Sequence, residues 1–166
     1  MSIFITGTFP AKRLQRGMTL TARQEKPPEG RLLGIDMGSK TLGLALFTPH
    51  ADMVTPLKTI KRAKWADDLK ALDDIMLEYR VAGIVVGYPL ESDGTEGRRC
   101  QSVRGFVRNL QDAFPGMWVG LHDERYSTQA AEEALLALDA SRETRRAVGD
   151  AVAAQFILQG FIDGQG

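Results

Sequence analysis

The chain has 166 residues, 43% hydrophobic and 25% charged, which is enough for one globular domain with a substantial core. Its 21 Lys and Arg balance 21 Asp and Glu, so no overall basic excess points to a polyanion partner, and local patches would have to hold one. The single cysteine, Cys100, excludes an internal disulfide framework and a cysteine-based metal cluster, and no apolar run has the length of a membrane span or signal-peptide core, so a cytoplasmic location is expected.

Residues 1–30 differ in character from the rest. Lys12, Arg13, Arg16, Arg23 and Lys26 stand against one acid before Glu29, and Lys26-Pro27-Pro28-Glu29-Gly30 has the composition of a linker. This stretch is expected to be a basic, flexible N-terminal extension, or to precede a later start at Met18, and no function attaches to it.

Residues 31–163 read as one domain. Leu32-Leu33-Gly34-Ile35 is a short apolar run bounded by glycine, as in a buried strand, and Leu42-Gly43-Leu44-Ala45-Leu46-Phe47 is a second. Between them Asp36 stands at a bend with Gly38 and Gly43 on either side, where missing side chains let backbone or ligand approach closely. A buried carboxylate is expensive unless something positive meets it. Asp-x-Gly is also common in hairpin turns, so both readings of Asp36 stand at this point.

Val54-Thr55-Pro56-Leu57-Lys58-Thr59-Ile60 is a third strand, and Pro56 puts it at an edge or a strand beginning. Trp65, Leu69, Leu72, Met76 and Tyr79 recur at spacings of four, three, four and three, which gives an amphipathic helix. Asp67, Lys70, Asp74 and Glu78 then face water, and the acids of this helix read as a solvated face. Ile84-Val85-Val86-Gly87 is a buried strand directly after it, and strand-helix-strand points to parallel pairing through a crossover. After the loop from Tyr88 to Gly97, a helix carries Val103, Phe106, Val107 and Leu110. Met117-Trp118-Val119-Gly120-Leu121 is a strand ending at His122-Asp123-Glu124-Arg125. A helix follows from about Thr128, with Leu135, Leu136 and Leu138. The last helix, from about Arg142 to Ile162, is apolar on much of its circumference. The sum is an α/β domain, a five-stranded mixed sheet flanked by helices, with three strands in a meander and two entered through helices.

Three places put acids where a surface explanation is weak: Asp36 after the first strand, Asp123 and Glu124 after the last, and Asp150 inside the most apolar helix. Strand ends in such a sheet converge on one edge, where ligands bind, and acids meeting there repel one another unless a cation sits between them. Oxygen donors without cysteine or a histidine cluster suit Mg²⁺ or Mn²⁺, which can hold a phosphodiester and activate water. Taken singly, each acid has a plainer role: Asp123 capping a turn or pairing with Arg125, Asp150 pairing with Arg146. Lys40 stands beside Asp36 on the glycine turn, within reach of a phosphate or simply exposed. Arg98, Arg99, Arg104 and Arg108 lie in an acid-free stretch, with Arg104 and Arg108 on one helix face that could track a phosphate backbone. His122 reads as a strand residue, and Cys100 as inert.

Four motifs in order resemble the YqgF (RuvX) family: Gly34-Ile35-Asp36-Met37-Gly38-Ser39-Lys40-Thr41-Leu42-Gly43-Leu44-Ala45; Val85-Val86-Gly87-Tyr88-Pro89-Leu90 with Asp93-Gly94-Thr95-Glu96-Gly97; Asp123-Glu124-Arg125-Tyr126-Ser127-Thr128; and Asp150-Ala151-Val152-Ala153-Ala154 with Ile157-Leu158-Gln159. They span Arg31 to Asp163. The resemblance implies a ribonuclease H-like fold and a metal-dependent nuclease that processes the 5′ end of the small-subunit (pre-16S) rRNA precursor. It also brings the alternatives of a Holliday junction resolvase acting on four-way DNA and of a non-catalytic nucleic-acid-binding module. Carried over by motif, Asp36, Glu124 and Asp150 are the metal-binding catalytic acids, with Asp123 the alternative to Glu124. Lys40, Arg98, Arg99, Arg104 and Arg125 are expected to touch nucleic acid, either structured RNA or branched DNA, with the protein a monomer or weak homodimer. Two departures from the family stand out. Phe47-Thr48-Pro49 occupies the place where the family has a small polar residue and an acid, and Gly149 replaces an apolar residue at a cost of about 1 kcal/mol to its helix turn.

Overall fold

The computed structural model describes residues 26–125, 133–134, 136–137 and 141–165. Most of the basic extension, and most of the helix expected from Thr128, lie outside the described residues. Eight main elements follow in order: β1 (Arg31–Met37), β2 (Thr41–Thr48), β3 (Met53–Lys61), α1 (Trp65–Glu78), β4 (Val81–Tyr88), α2 (Arg98–Ala113), β5 (Trp118–Asp123) and α3 (Arg142–Asp163). A single 3-10 turn, Pro49–Ala51, joins β2 to β3 and closes on Asp52, whose φ of 47° is left-handed. No helix among the described residues is long and apolar enough to cross a membrane.

The five strands form one sheet of order β3-β2-β1-β4-β5. β1, β2 and β3 are an antiparallel meander, while β4 pairs parallel to β1 and β5 parallel to β4. The parallel pairing expected after α1 is present, but its partner is β1: the connection passes over two strands and sets β4 on the far side of β1. β3 is an edge strand, as Pro56 requires, and the ladder to β2 shifts register between Leu44 and Ala45, opposite Lys58 and Pro56.

The strand period of two divides the sheet into two faces. Leu33, Ile35, Leu42, Leu44, Ile84, Val86, Val119 and Leu121 pack with α1 and α2, where Leu72, Ile75, Val103, Val107 and Leu110 complete the core. Leu32, Ala45, Val85 and Trp118 pack on the other face against Ala154, Ile157, Leu158 and Phe161 of α3. Glycines let α3 lie very close to the sheet. A Cβ on Gly43 would fall 1.9 Å from the Asp150 carbonyl oxygen, and one on Gly34 would fall 2.8 Å from the Leu158 Cβ. Both contacts set the depth of α3 and bring Asp150 down to the carboxyl edge of β1.

Asp67, Lys70, Asp74 and Glu78 of α1 are exposed, as expected, but a further acid of the helix is not: Asp68 is 2% exposed, its Oδ1 accepts from the Ala63 N–H at 2.8 Å, and its Oδ2 lies 3.7 Å from the Arg62 Nε. A carboxylate in the first helical turn reaches back to free N–H groups and favours the positive end of the helix.

Candidate active site

The carboxyl ends of β1, β4 and β5, the start of β2 and the end of β3 share one edge of the sheet. Asp36 lies opposite Gly43 on β2, on the face covered by α3. Gly87 and His122 pair across β4 and β5, and Glu124, the next residue on that face after His122, extends over Gly87. A Cβ on Gly87 would stand 2.2 Å from the Glu124 Oε2 and 2.6 Å from the Ile157 Cδ1. Glycine at 87 therefore makes the room into which the Glu124 carboxylate folds. Asp150 is fixed from the other side: the Thr41 hydroxyl donates to its Oδ2 at 2.6 Å. A bond that short is the charge-assisted kind.

The electrostatics join these acids. Burial first, and then the charge of Asp150, push Asp36 from 3.8 up to about 6, with Arg99 pulling the other way. Burial first, and then Asp36, push Glu124 from 4.5 up to about 7, again against Arg99, with Asp123 adding to the rise. Asp36 thus feels Asp150 and is felt by Glu124, and one guanidinium from the start of α2 acts on both sides. Among the described residues Arg99 is the cation that offsets part of the cost of holding these acids together, and Arg146, the partner the sequence offered for Asp150, has a side chain outside the described residues.

Asp123 and Glu124 are adjacent in sequence but occupy different settings. Both are nearly buried, 7% and 8% exposed. Asp123 is held by Arg125, whose NH2 donates to Oδ2 at 2.7 Å and whose Nε donates at 2.9 Å, with its backbone N–H donating to Oδ1 at 3.1 Å. That clamp is the plainer role open to Asp123. Glu124 receives no such clamp and faces Asp36.

The cations divide similarly. Lys40 is exposed on the turn after Asp36, and Arg98 and Arg99 are exposed at the start of α2. Arg104 pairs with Glu96 at 3.1 Å, and Glu96 also accepts from the Tyr88 hydroxyl at 2.8 Å, which pins the loop between β4 and α2. Arg125 is engaged by Asp123. His122 is buried against Phe161 of α3, and burial holds its pKa below the usual histidine value. Cys100 is buried, with its thiol donating to the Pro89 carbonyl at 3.4 Å and pushed up by burial. Thr41 and Gly87 have structural parts in the site that spacing alone does not reveal, because each acts through a residue distant in sequence.

The donors suit a hard divalent cation, since Asp36, Glu124 and Asp150 offer only carboxylate oxygens. Among the described residues, no three acids, histidines or cysteines stand close enough to hold a metal by themselves. The arrangement is two pairs sharing Asp36. Such pairs fit Mg²⁺, which keeps several waters and binds through one or two carboxylates together with substrate phosphates.

A five-stranded mixed sheet with helices on both faces, bearing acids at its carboxyl edge, is an α/β fold of the ribonuclease H-like kind. The chain belongs to the RuvX family, whose model, described as Holliday junction resolvase, matches residues 30–164. A protein of Cereibacter sphaeroides named "Putative pre-16S rRNA nuclease" is 48% identical over 137 residues, covering 82% of this chain and 85% of that one. Proteins of the same name from Ruegeria pomeroyi and Roseobacter denitrificans are 47% and 45% identical, each over 82% of this chain and over 88% and 85% of their own lengths. Among solved structures, the fowlpox virus resolvase with Holliday junction DNA superposes with a TM-score of 0.53 at 8% identity, covering 81% of this chain and 98% of that one. The Thermus thermophilus RuvC does so with 0.50 at 16%, covering 80% and 95%. The two structures share the fold.

Proposed function

We infer that this protein is a metal-dependent endonuclease that cuts structured RNA, with the 5′ end of the small-subunit (pre-16S) rRNA precursor as its substrate in the cytoplasm. The observation that carries the reading is the position of Asp36 between Asp150 and Glu124, with a charge cost that a cation would offset. Similarity at 45–48% to proteins named for pre-16S rRNA supports the substrate.

Asp36 with Asp150, or Asp36 with Glu124, would hold Mg²⁺ or Mn²⁺ together with substrate phosphates. When bound, the ion supplies charge neutralisation at the phosphate and a more acidic water. Glu124, which extends over Gly87 at this edge, would take a proton from the attacking water. Arg99, already directed at both acids, offsets charge on the phosphate, while Lys40 and Arg98 meet the flanking backbone. All three acids come from one chain, so a monomer can cut a single strand.

The test is cleavage of precursor rRNA beside four-way DNA junctions, with Mg²⁺, with Mn²⁺ and with chelator, and Asp36→Asn in parallel. Metal-dependent cutting of the RNA that falls at least a thousandfold in Asp36→Asn is the expected result. Preferential paired cutting of the four-way DNA would instead make the protein a resolvase. Binding of RNA without cleavage in any metal would make it a binding module.

A further inference from the structure

We propose that the cleft between the β3–α1 turn and the outward face of α2 is a subsite for one unpaired nucleotide of the strand being cut, an inference that rests on the nuclease reading. The cleft has a volume of about 410 Å³, within the range of small-ligand sites. One wall is α2, where Ser102, Gly105, Phe106 and Asn109 recur along a single face. The other is the turn, which contributes Arg62, Trp65 and Asp68.

The cleft adjoins the catalytic edge. Arg62 Nη1 donates to the Gly38 carbonyl at 2.8 Å, two residues beyond Asp36, and Met37, which follows Asp36 and faces the α1–α2 side of the sheet, lines the cleft. At its other end, α2 begins with the guanidinium of Arg99 that acts on Asp36 and Glu124. Gly105 lies about 9 Å from Arg99 along the helix axis.

Gly105 is the telling residue. It stands inside a helix of 16 residues, where glycine is disfavoured, yet a Cβ built on it meets nothing within 4 Å. Gly34, Gly43 and Gly87 are required by atoms that press on them, whereas no neighbour requires Gly105. The space it leaves open is the cleft. No contact within the fold calls for glycine here, and a larger side chain would reach into the cleft.

The lining selects the occupant. Trp65 is only partly buried and meets Phe106 edge to face, with ring centroids 5.8 Å apart, so its indole offers a flat ring a stacking surface. The Ser102 hydroxyl and Asn109 amide supply donors and acceptors for a base edge. Arg62, its guanidinium 5.9 Å from the Phe106 ring centre, and the exposed Lys61 and Lys64 supply charge for a phosphate. The acid of the lining, Asp68, is buried, accepts from Ala63 and lies 3.7 Å from the Arg62 Nε, so the exposed Lys61 and Lys64 carry the unbalanced positive charge. An apolar ligand would strand these polar groups, and an anion without a ring would leave the indole unused. A base held in a duplex cannot enter, so the cleft admits only an unstacked one.

The experiment titrates the full-length protein with a single-stranded pentaribonucleotide in chelator and follows tryptophan emission. Trp118 is 3% exposed, so quenching reports Trp65. The expected result is saturable quenching, at least tenfold weaker in Gly105→Leu. The melting temperature of Gly105→Leu should match or exceed that of the unaltered protein. If it falls instead, Ser102→Ala with Asn109→Ala replaces it, with binding at least threefold weaker expected. Unaltered affinity in the variant that folds, or binding without quenching, overturns the proposal. So does equal quenching by a duplex of the same sequence. Absence of cleavage would sink the nuclease reading by a different assay and leave this quenching in place.

Discussion

At the scale of single residues, the hydroxyl of Thr41 ties the beginning of β2 to Asp150 across 109 residues of sequence. Thr41→Val keeps the β-branched shape and removes the donor. Because the lost bond goes to a carboxylate, stability should fall by about 1.5–3 kcal/mol. Partners that orient metal-binding carboxylates typically matter about 10–100-fold, so the cleavage rate should drop by that factor, with Thr41→Ser recovering most of it. Turnover and thermal melting of the three proteins check this, and a Thr41→Val that melts lower but cuts at the full rate would make the bond purely structural. The distinction between Asp123 and Glu124 was open in the sequence for a physical reason. Neighbours on a strand face opposite ways, so their roles depend on where β5 ends and which face its residues take. Trp118 packs on the α3 side, and counting in twos from it reaches Glu124, but that starting face is a tertiary fact. Asp68 was missed because helical periodicity gives each acid a direction without giving the turn residues that reach it.

At the scale of elements, the same substitution should act oppositely in two places. Gly43→Ala would press a Cβ to 1.9 Å from a carbonyl oxygen of α3, a backbone atom that cannot rotate away. The helix must lift, so stability should fall by about 3 kcal/mol or more, with loss of cleavage because Asp150 moves with it. Gly105→Ala meets open space and should raise stability by about 0.5–1 kcal/mol. Denaturant unfolding of both proteins measures the difference, and a Gly43→Ala as stable as the parent would refute the close approach. The elements themselves were readable: apolar runs gave the strands, four-three spacing gave α1, and Pro56 gave the edge. The partner of β4 was not, because a strand-helix-strand pattern specifies parallel direction while the number of strands crossed depends on what the meander has already occupied. The glycines had the same ambiguity. A turn glycine, a glycine under a helix and a glycine beside a cleft look alike in a sequence.

At the scale of the whole molecule, the acid edge couples stability to pH, and the cation proposed for it would add a dependence on metal. Asp36 and Glu124 titrate at about 6 and about 7 in the folded metal-free chain, above their ordinary 3.8 and 4.5. Below about pH 4 both states are protonated and the folded state carries no penalty from these groups. As pH rises from about 4 to about 7, the unfolded chain releases these protons before the folded one does, so stability is lost across that window and then levels off. The loss is on the order of a few kcal/mol for the pair. A cation that binds the ionised acids of the folded state reverses it by mass action, and competes with protons in doing so. In chelator, the melting temperature should therefore fall between pH 4.5 and pH 7.5 more steeply than that of Asp36→Asn with Glu124→Gln. Added Mg²⁺ should recover the difference at pH 7.5 and have little effect at pH 5. Melting curves on both proteins, with chelator and with Mg²⁺, measure all of this at once. Parallel pH profiles for parent and double variant would mean that the acids bear no shared charge cost, and the case for a cation at this edge would go with it.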